Sequence, residues 1–156
     1  MGIPTNPGAQ ARTKWSTSTM KSYPQLGVPI KEVTTETAMF KEDLATDIVT
    51  DWINDGTINN IEVILANNDT MAIGAIKALE EAQLSIPVFG IDAIPAALEM
   101  LEQGRLSGTV INDATEQAEV SILSAINLAY DQPTTQGLDY HVEYQTILVP
   151  YKSLND

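Results

Sequence analysis

The chain has 156 residues, of which 44% are apolar, and a formal net charge of −13 from 21 acidic and 8 basic residues. This length can enclose one sizeable core, and the composition is that of a folded globular protein rather than a disordered one. Nucleic acids and anionic membranes bind clustered Lys and Arg, so scattered basic residues argue against both partners. Because the chain has no cysteine, it forms no disulfide and has no thiolate nucleophile or Cys-based metal site.

The first predicted elements are a loop, two helices and a strand. Residues 2–8 contain two prolines and two glycines, which predict a loop, and they have neither the basic nor the apolar region of a secretory signal. We predict a helix from Ala9 to about Tyr23 and a strand from Val28 to Val33. A second helix is predicted from Glu42 to about Asn54, where apolar side chains recur at every fourth position. No apolar stretch approaches the ~20 residues that span a membrane.

Three short apolar strands follow, and each is succeeded at once by a helical pattern. The strands are predicted at Ile61–Ala66, Ile86–Ile91 and Leu106–Ile111. Alternation of this kind, with short connections, predicts an α/β fold with a mostly parallel sheet and helices on both faces. After the loop DQPTTQG, the tail YHVEYQTILVPY is predicted to form one or two closing strands.

Cap and breaker residues mark the ends of the three helices. Asp69 is predicted to be the N-cap of the first, and Pro95 falls where the first turn of the second tolerates a proline. Gly104 is predicted to end that second helix. Asp113, with Glu116 three positions on, resembles a capping box for the third helix.

Polar side chains also stand where the three strands end, at Asn68, Asp92 and Asn112. In open α/β sheets, ligands bind in the crevice beyond the carboxyl ends of the strands. Two amides and a carboxylate gathered there can exchange paired hydrogen bonds with the hydroxyl groups of a neutral ligand. Each residue also has an alternative role in a turn or a cap. The role of a helix cap is favoured for Asp69, whereas for Asn68 taken alone a cap and a ligand contact are equally favoured. Because Asp113 is the better cap, Asn112 is left to contact a ligand.

Two further side chains are candidates for the same site. Arg12 either forms a surface ion pair or offers a planar donor to ligand oxygens, with its charge held by a carboxylate such as Asp92. Phe40 either belongs to the core or presents a flat apolar face to the C–H side of a sugar ring. Trp15 and Trp52 lie on helical stripes and are predicted to be core residues.

The patterns of common catalytic sites are absent from the sequence. It has no GxSxG, no GxGxxG and no phosphate-binding P-loop, and its single histidine, His141, lies in a predicted strand. Composition alone does not exclude a carboxylate-based hydrolase, but nothing singles out an acid and base pair. The sequence therefore predicts a binding protein and no enzyme.

The motifs ANND, FGID and TVIND, in this order and spacing, closely resemble those of the periplasmic galactose/glucose-binding proteins of sugar ABC transporters. The resemblance extends from the GIPTNPGAQAR opening to the ILVPY tail and implies a periplasmic-binding-protein type I fold. It also implies that Asn68, Asp92 and Asn112 hydrogen-bond sugar hydroxyls and that Arg12 binds the sugar. Phe40 matches the aromatic residue that stacks on the pyranose face, where the nearest relatives have Trp.

The sequence departs from the family pattern in its opening loop. Asn6 and Gly8 stand where family members carry a histidine and an aspartate, so Asn6 is the candidate replacement for the histidine, whereas Gly8 cannot replace a carboxylate. Glu62 matches the glutamate that completes the family's calcium site. The loop that supplies the other calcium ligands is not in this chain, and Glu62 alone is not a metal site, so we expect no cofactor.

The resemblance covers only the second half of the two-domain family members, which implies a truncated C-terminal domain. Residues 1–112 are then part of the sugar-binding domain, 113–133 a helix that packs on the other domain, and 134–156 a return segment. Because that helix is apolar on more than one side, we expect the chain to self-associate.

The function implied by the resemblance is non-catalytic binding of a monosaccharide of the glucose/galactose class. An intact parent would work in the periplasm or another extracytoplasmic space and hand the sugar to an ABC permease. The effector-binding domain of a LacI-type transcriptional regulator has the same fold and is the alternative. Acidity and the closer match to the galactose binders favour transport, with no nucleic-acid partner.

Overall fold

A computed structural model describes residues 1–22, 30–144 and 146–152. The chain divides into two compact units, Met1–Thr109 and Val110–Asp156, here the first and second unit. Each unit has its own helices and strands. No helix in the described part of the chain is both long and apolar enough to cross a membrane.

The first unit alternates helices with short strands, as the sequence predicts. Its elements are α1 (Pro7–Ser22), α2 (Glu42–Asn54), a 3-10 helix (Thr57–Asn60), β1 (Ile64–Leu65), α3 (Asp69–Glu81), β2 (Val88–Phe89) and α4 (Pro95–Glu102). The predicted bounds of α2 are confirmed. The end of α1 predicted at Tyr23 lies outside the described residues, as do residues 28–29 of the predicted first strand, and residues 30–33 form no strand.

The predicted parallel pairing is confirmed for the first two of the three predicted strands, although both are shorter than predicted. β1 pairs in parallel with β2, with Ile64 opposite Val88. The prediction of a third strand at residues 106–111 is wrong, because within that range Gly108 forms only an isolated parallel bridge with Phe89. Ile64 and Val88 are buried, whereas Leu65, the next residue of β1, is 46% exposed. One face of the strand pair is therefore fully covered and the other only in part.

The core of the first unit is built around α3, which packs closely on α2. Nine of the 13 residues of α3 are buried, including Ala72, Ile76 and Leu79. A Cβ atom added to Gly74 would lie only 2.2 Å from the backbone oxygen of Glu42, so only glycine permits this approach of the two helices. Side chains of β1, β2 and α4 complete the same core.

The prediction that Trp15 is a core residue is wrong, because its side chain is 62% exposed. The inward side of α1 is formed by residues at helical spacing that are mostly polar, namely Ala9, Arg12, Thr13, Ser16 and Thr17. Trp15 lies on the other side of the helix, next to the ammonium group of Lys14. Trp52 is half-buried and packs against the core, as predicted.

The second unit contains one long helix and a hairpin, which are α5 (Ala114–Ala129), β3 (His141–Glu143) and β4 (Thr146–Leu148). The two strands pair antiparallel, so the predicted closing strands of the tail are confirmed. Within α5, all of which the structure describes, Val120 is the one buried residue. Ile122 and Leu128 are 60% and 61% exposed.

The start of α5 confirms the predicted cap. Asp113 accepts a hydrogen bond from the backbone N–H of Glu116 at 2.9 Å. The carboxylate of Glu116 binds Lys152 at 2.6 Å and the hydroxyl of Tyr140 at 2.6 Å. Lys152 also lies 3.3 Å from Asp113, so a lysine near the end of the chain is bound to the first turn of the helix.

Candidate functional site

The carboxyl ends of β1 and β2 place two polar segments side by side. The backbone N–H of Ala66 donates to the carbonyl of Phe89 at 2.9 Å, and that of Asp69 donates to the carbonyl of Ile91 at 2.8 Å. Residues 66–69 therefore run beside residues 89–92. Because parallel strands deliver their next residues to the same sheet edge, this is where the sequence predicts a ligand site.

An ion pair between Arg12 and Asp92 lies at this edge. The Nη2 atom of Arg12 is 2.9 Å from Oδ1 of Asp92, and the side chains are only 13% and 24% exposed. The Nη1 atom of the same guanidinium donates to the carbonyl oxygen of Asn67 at 2.7 Å. The predicted pairing is confirmed, and it joins α1 to the ends of both strands.

Asn67, which was not among the predicted site residues, supports the ion pair through further hydrogen bonds. Its side chain is buried, and its Oδ1 atom accepts hydrogen bonds from Gly2 N–H at 2.8 Å and from the hydroxyl of Thr13 at 3.0 Å. The signal was present in the sequence, because successive side chains of an extended segment point to opposite faces. Of two adjacent asparagines after a strand, one is thus expected to point inward.

The predicted N-cap role of Asp69 is wrong, and Asn68 has that role instead. Asn68 has extended backbone angles, and its Oδ1 accepts from the N–H of Met71 at 3.1 Å. Asp69 is the first residue of α3 and is fully buried. The physical reason is that Asn and Asp are equally good caps, so the sequence alone does not decide between adjacent ones. That Asn68 binds a ligand stays a prediction.

The carboxylate of Asp69 is bound by groups on two neighbouring segments. Oδ1 accepts a hydrogen bond from the hydroxyl of Thr109 at 2.6 Å, and Oδ2 accepts one from the backbone N–H of Ile94 at 3.0 Å. Burial raises the pKa of Asp69 above its ordinary value, although these hydrogen bonds oppose the shift. The negative charge of Asp92 raises this pKa further.

Phe40 and Asn6, the other predicted ligand residues of the first unit, lie in its loops. Phe40 is half-buried with a φ of 62°, and a Cβ atom on Gly2 would lie 2.2 Å from its ring, so the ring rests on the opening segment. Asn6 is exposed and caps α1, because its Oδ1 accepts from the N–H of Ala9 at 2.9 Å. Their roles toward a sugar stay predictions.

Asn112 belongs to the second unit, where its Oδ1 accepts a hydrogen bond from Nε2 of Gln117 at 2.7 Å. Its predicted sugar contact also stays a prediction.

Glu62 is exposed, and the described residues include no group of three or more His, Cys, Asp or Glu side chains able to hold a metal. Calcium takes six to eight oxygen ligands. The described residues thus do not by themselves fit a calcium site.

Two cavities among the described residues, one in each unit, are lined by residues other than Arg12 and Asp92. An apolar cleft of about 50 Å³ lies among Ala38, Val49, Met71 and their neighbours in the first unit. A larger open groove in the second unit is lined by α5 and residues 146–149. Ligand pockets usually enclose ~300 Å³ or more, so the first cleft is too small for a sugar. The ion pair of Arg12 and Asp92 lies instead at the edge of the sheet where the carboxyl ends of β1 and β2 meet.

Comparison with known proteins gives one consistent result. Residues 1–133 match the family described as periplasmic binding protein domain. The chain is 33% identical over 150 residues to the D-galactose/methyl-galactoside binding periplasmic protein MglB of Haemophilus influenzae, and the match covers 96% of this chain and 44% of that protein.

Two solved structures of ABC transporter solute-binding proteins are similar to this chain, each at 31% identity. The protein from Bacillus halodurans, with bound myo-inositol, has a TM-score of 0.81 over 97% of this chain and 48% of its own. The protein from Actinobacillus succinogenes, with bound D-allose, has a TM-score of 0.76 over 84% and 45%. The chain thus spans less than half the length of each of these relatives.

Proposed function

Because the chain belongs to the periplasmic binding protein family and has its type I α/β fold, we propose that it supplies one side of a monosaccharide site. In the periplasm, the protein would bind the sugar without chemical change and deliver it to an ABC permease. One relative described above is named for D-galactose and methyl-galactoside, and the two solved structures hold bound D-allose and myo-inositol. All of these ligands are uncharged rings that carry several hydroxyl groups.

The ion pair of Arg12 and Asp92 is the observation that carries this proposal. A hydroxyl group both donates and accepts a hydrogen bond, so it is best met by a fixed acceptor beside a fixed donor. A carboxylate supplies the first and a guanidinium the second, and both form stronger hydrogen bonds than neutral groups do. At 13% and 24% exposure, the two side chains are more sheltered than an ordinary surface pair and still reach the sheet edge.

The proposed ligand class is glucose or galactose. Support comes from the galactoside-binding relative and from Phe40, an aromatic residue that suits the apolar face of a pyranose. Asn68 and Asn112 would add neutral hydrogen-bonding groups, and Asn6 would stand in for the histidine of the family. The two solved structures above are of ABC transporter solute-binding proteins, which favours transport over the regulatory alternative.

The test is a titration of the ¹⁵N-labelled chain with D-galactose, D-glucose, D-allose and myo-inositol, followed by two-dimensional NMR. We expect saturable shifts at residues 66–69 and 91–94 and at the Nε–H of Arg12, with galactose or glucose binding tightest. Saturable shifts with inositol or allose alone would support binding at this edge but contradict the proposal that the ligand is glucose or galactose.

Matched arginine variants test the role of the ion pair. Arg12→Gln should weaken binding about tenfold or more, since a hydrogen bond to a charged group is lost. Arg105→Gln is the control, because Arg105 forms an exposed ion pair with Glu80 at 2.7 Å in the same unit. Equal losses in both variants, or no saturable shift with any of the sugars, would contradict the proposal.

A further inference from the structure

The segment that presents Asp92 has an unusual backbone. Asp92 has a φ of 121° and Ala93 a φ of 55°, both in the region that favours glycine. Non-glycine residues remain there only where surrounding contacts hold them. The side-chain direction of Asp92 therefore depends on whatever holds this turn.

Asp69 contributes contacts to both sides of the turn. Its backbone N–H donates to the carbonyl of Ile91 at 2.8 Å, and its Oδ2 accepts from the N–H of Ile94 at 3.0 Å. Its Oδ1 accepts from the hydroxyl of Thr109 at 2.6 Å, and that hydroxyl oxygen in turn accepts from the N–H of Ala93 at 3.3 Å. Asp69 thus bonds the start and the end of the turn directly and its middle through the hydroxyl of Thr109.

Gly90 makes room for this carboxylate. A Cβ atom at position 90 would lie 2.1 Å from Oδ1 of Asp69 and 3.2 Å from its Cα. Because both the backbone and the carboxylate of Asp69 are fixed by hydrogen bonds, neither can move away cheaply. The carboxylate of Asp69 can therefore occupy this position only because residue 90 is a glycine.

We propose that Asp69 is a positioning residue of the ligand site, which holds the Asp92–Ala93 turn with the help of Thr109 and so fixes the carboxylate of Asp92 against Arg12. Asp69 does not touch the ligand itself. The inference rests on the proposed function only in taking Asp92 as a sugar contact. The effect on the ion pair exists without sugar and can be measured without it.

Four variants separate positioning from general stability. Asp69→Ala removes the carboxylate, and Thr109→Val removes the hydroxyl that links it to Ala93 while keeping the side-chain shape. Asp69→Asn is the conservative variant, because its amide can still accept from Ile94 N–H and donate to Thr109. Thr46→Val is the matched control, since its hydroxyl also bonds backbone oxygens of the first unit, those of Glu42 and Gly74.

The first measurement is the exchange rate of the guanidinium protons of Arg12 by NMR without sugar. We expect Asp69→Ala and Thr109→Val to raise this rate about tenfold, as for loss of a hydrogen bond to a charged group. Asp69→Asn and Thr46→Val should leave it near the wild-type value. Protected Arg12 protons in Thr109→Val, a folded variant by its amide spectrum, would overturn the proposal, as would an equal effect of Thr46→Val.

Sugar titration of the same variants gives the second measurement. The dissociation constant should rise about tenfold in Asp69→Ala and Thr109→Val and recover in Asp69→Asn. If the wild-type chain binds no sugar but Arg12 loses protection in Asp69→Ala and Thr109→Val, then the proposed function fails and the positioning role stands. If sugar binds with the same strength in all four variants, the positioning role fails and the proposed function stands.

Discussion

Helices α3 and α5 have similar apolar content but opposite surroundings. In α3, nine of 13 residues are buried, whereas in α5 one of 16 is. The sequence pattern of α5 predicts a helix enclosed by others, because its apolar residues occupy more than one side. The difference is that α2 and the parallel strands cover α3, while Ile122, Leu123, Ile126 and Leu128 on α5 are 46–61% exposed. The sequence of a helix thus shows which side chains could be buried, and the elements that pack against it determine which of them are buried.

The largest expected effect comes from a matched pair of leucines. Leu79→Ala in α3 removes a side chain that is 3% exposed, so it should lower the free energy of unfolding by about 2–5 kcal/mol. Leu123→Ala in α5, at 47% exposure, should cost less than ~1 kcal/mol. Urea denaturation followed by circular dichroism measures both. Equal losses would mean that α5 is covered as completely as α3 is.

The exposed residues of α5 should make the chain self-associate. Large exposed apolar patches mark interfaces or aggregation sites, and exchange of a helix between copies is a low-cost route to a dimer. We expect sedimentation to show association of the chain. Ile122→Lys should weaken this association about tenfold, because an isoleucine that association would bury is lost. Val33→Lys, at a residue of the first unit that is 42% exposed, is the control and should have no effect. A strictly monomeric wild-type chain would refute this prediction.

Asp69 in the first unit and two carboxyl groups in the second, those of Asp113 and Glu116, should contribute to the acid response of stability with opposite signs. The pKa of buried Asp69 is raised above its ordinary 3.8, so its contribution is full below that pH and is lost as pH rises through the folded-state pKa. Hydrogen bonds from the Glu116 N–H and from Lys152 lower the pKa of Asp113, and hydrogen bonds from Lys152 and Tyr140 lower that of Glu116. Their contributions are present above the ordinary values and are lost as pH falls through the lowered ones.

Urea midpoints measured from pH 7 to pH 3 test this sign difference. The stability of the wild type relative to Asp69→Asn should increase as the pH falls toward 4. The stability relative to Lys152→Met should instead decrease over the last part of the same range. Parallel curves for the two pairs would show that burial does not dominate at Asp69.

The smallest expected effect is at Ser124 in α5. Its hydroxyl oxygen is buried and has no hydrogen-bond partner among the described residues. A buried hydroxyl without a partner is costly, and alanine is the better helix former. Ser124→Ala should therefore raise the free energy of unfolding by roughly 0.5–1 kcal/mol in the same urea assay. Ser121→Ala, at an exposed neighbour that bonds the carbonyl of Gln117, should give no such gain.

Much of the first unit could be predicted from the sequence, because its signals are local and agree with each other. The bounds of α2, the parallel order of the strands and the pairing of Arg12 with Asp92 all follow from periodicity, alternation and charge. The first two features depend on residues close in sequence or on a topology that alternating elements almost dictate. The ion pair joins residues 80 positions apart, and its prediction rests on charge.

The wrong predictions arise where two interpretations of the same sequence pattern differ by one residue or by one helix face. A shift of the cap from Asp69 to Asn68 changes an exposed cap into a buried carboxylate, and the pattern fits both positions. Trp15 is exposed because α1 turns a mostly polar side inward to meet Asn67, a choice that depends on distant partners. The place of Asn112 in a site depends on how separate parts of a chain meet, which no local pattern records.

The different exposure of Trp15 and Trp52 gives the protein an optical property. They are the two tryptophans of the chain, and both belong to the first unit. Water-soluble quenchers will reach the indole of Trp15, at 62% exposure, far more readily than that of Trp52, which packs against the core. Their fluorescence can therefore be separated by a quencher. Because Trp15 follows Arg12 by three residues on α1, its emission offers a label-free signal from the helix that holds the ion pair.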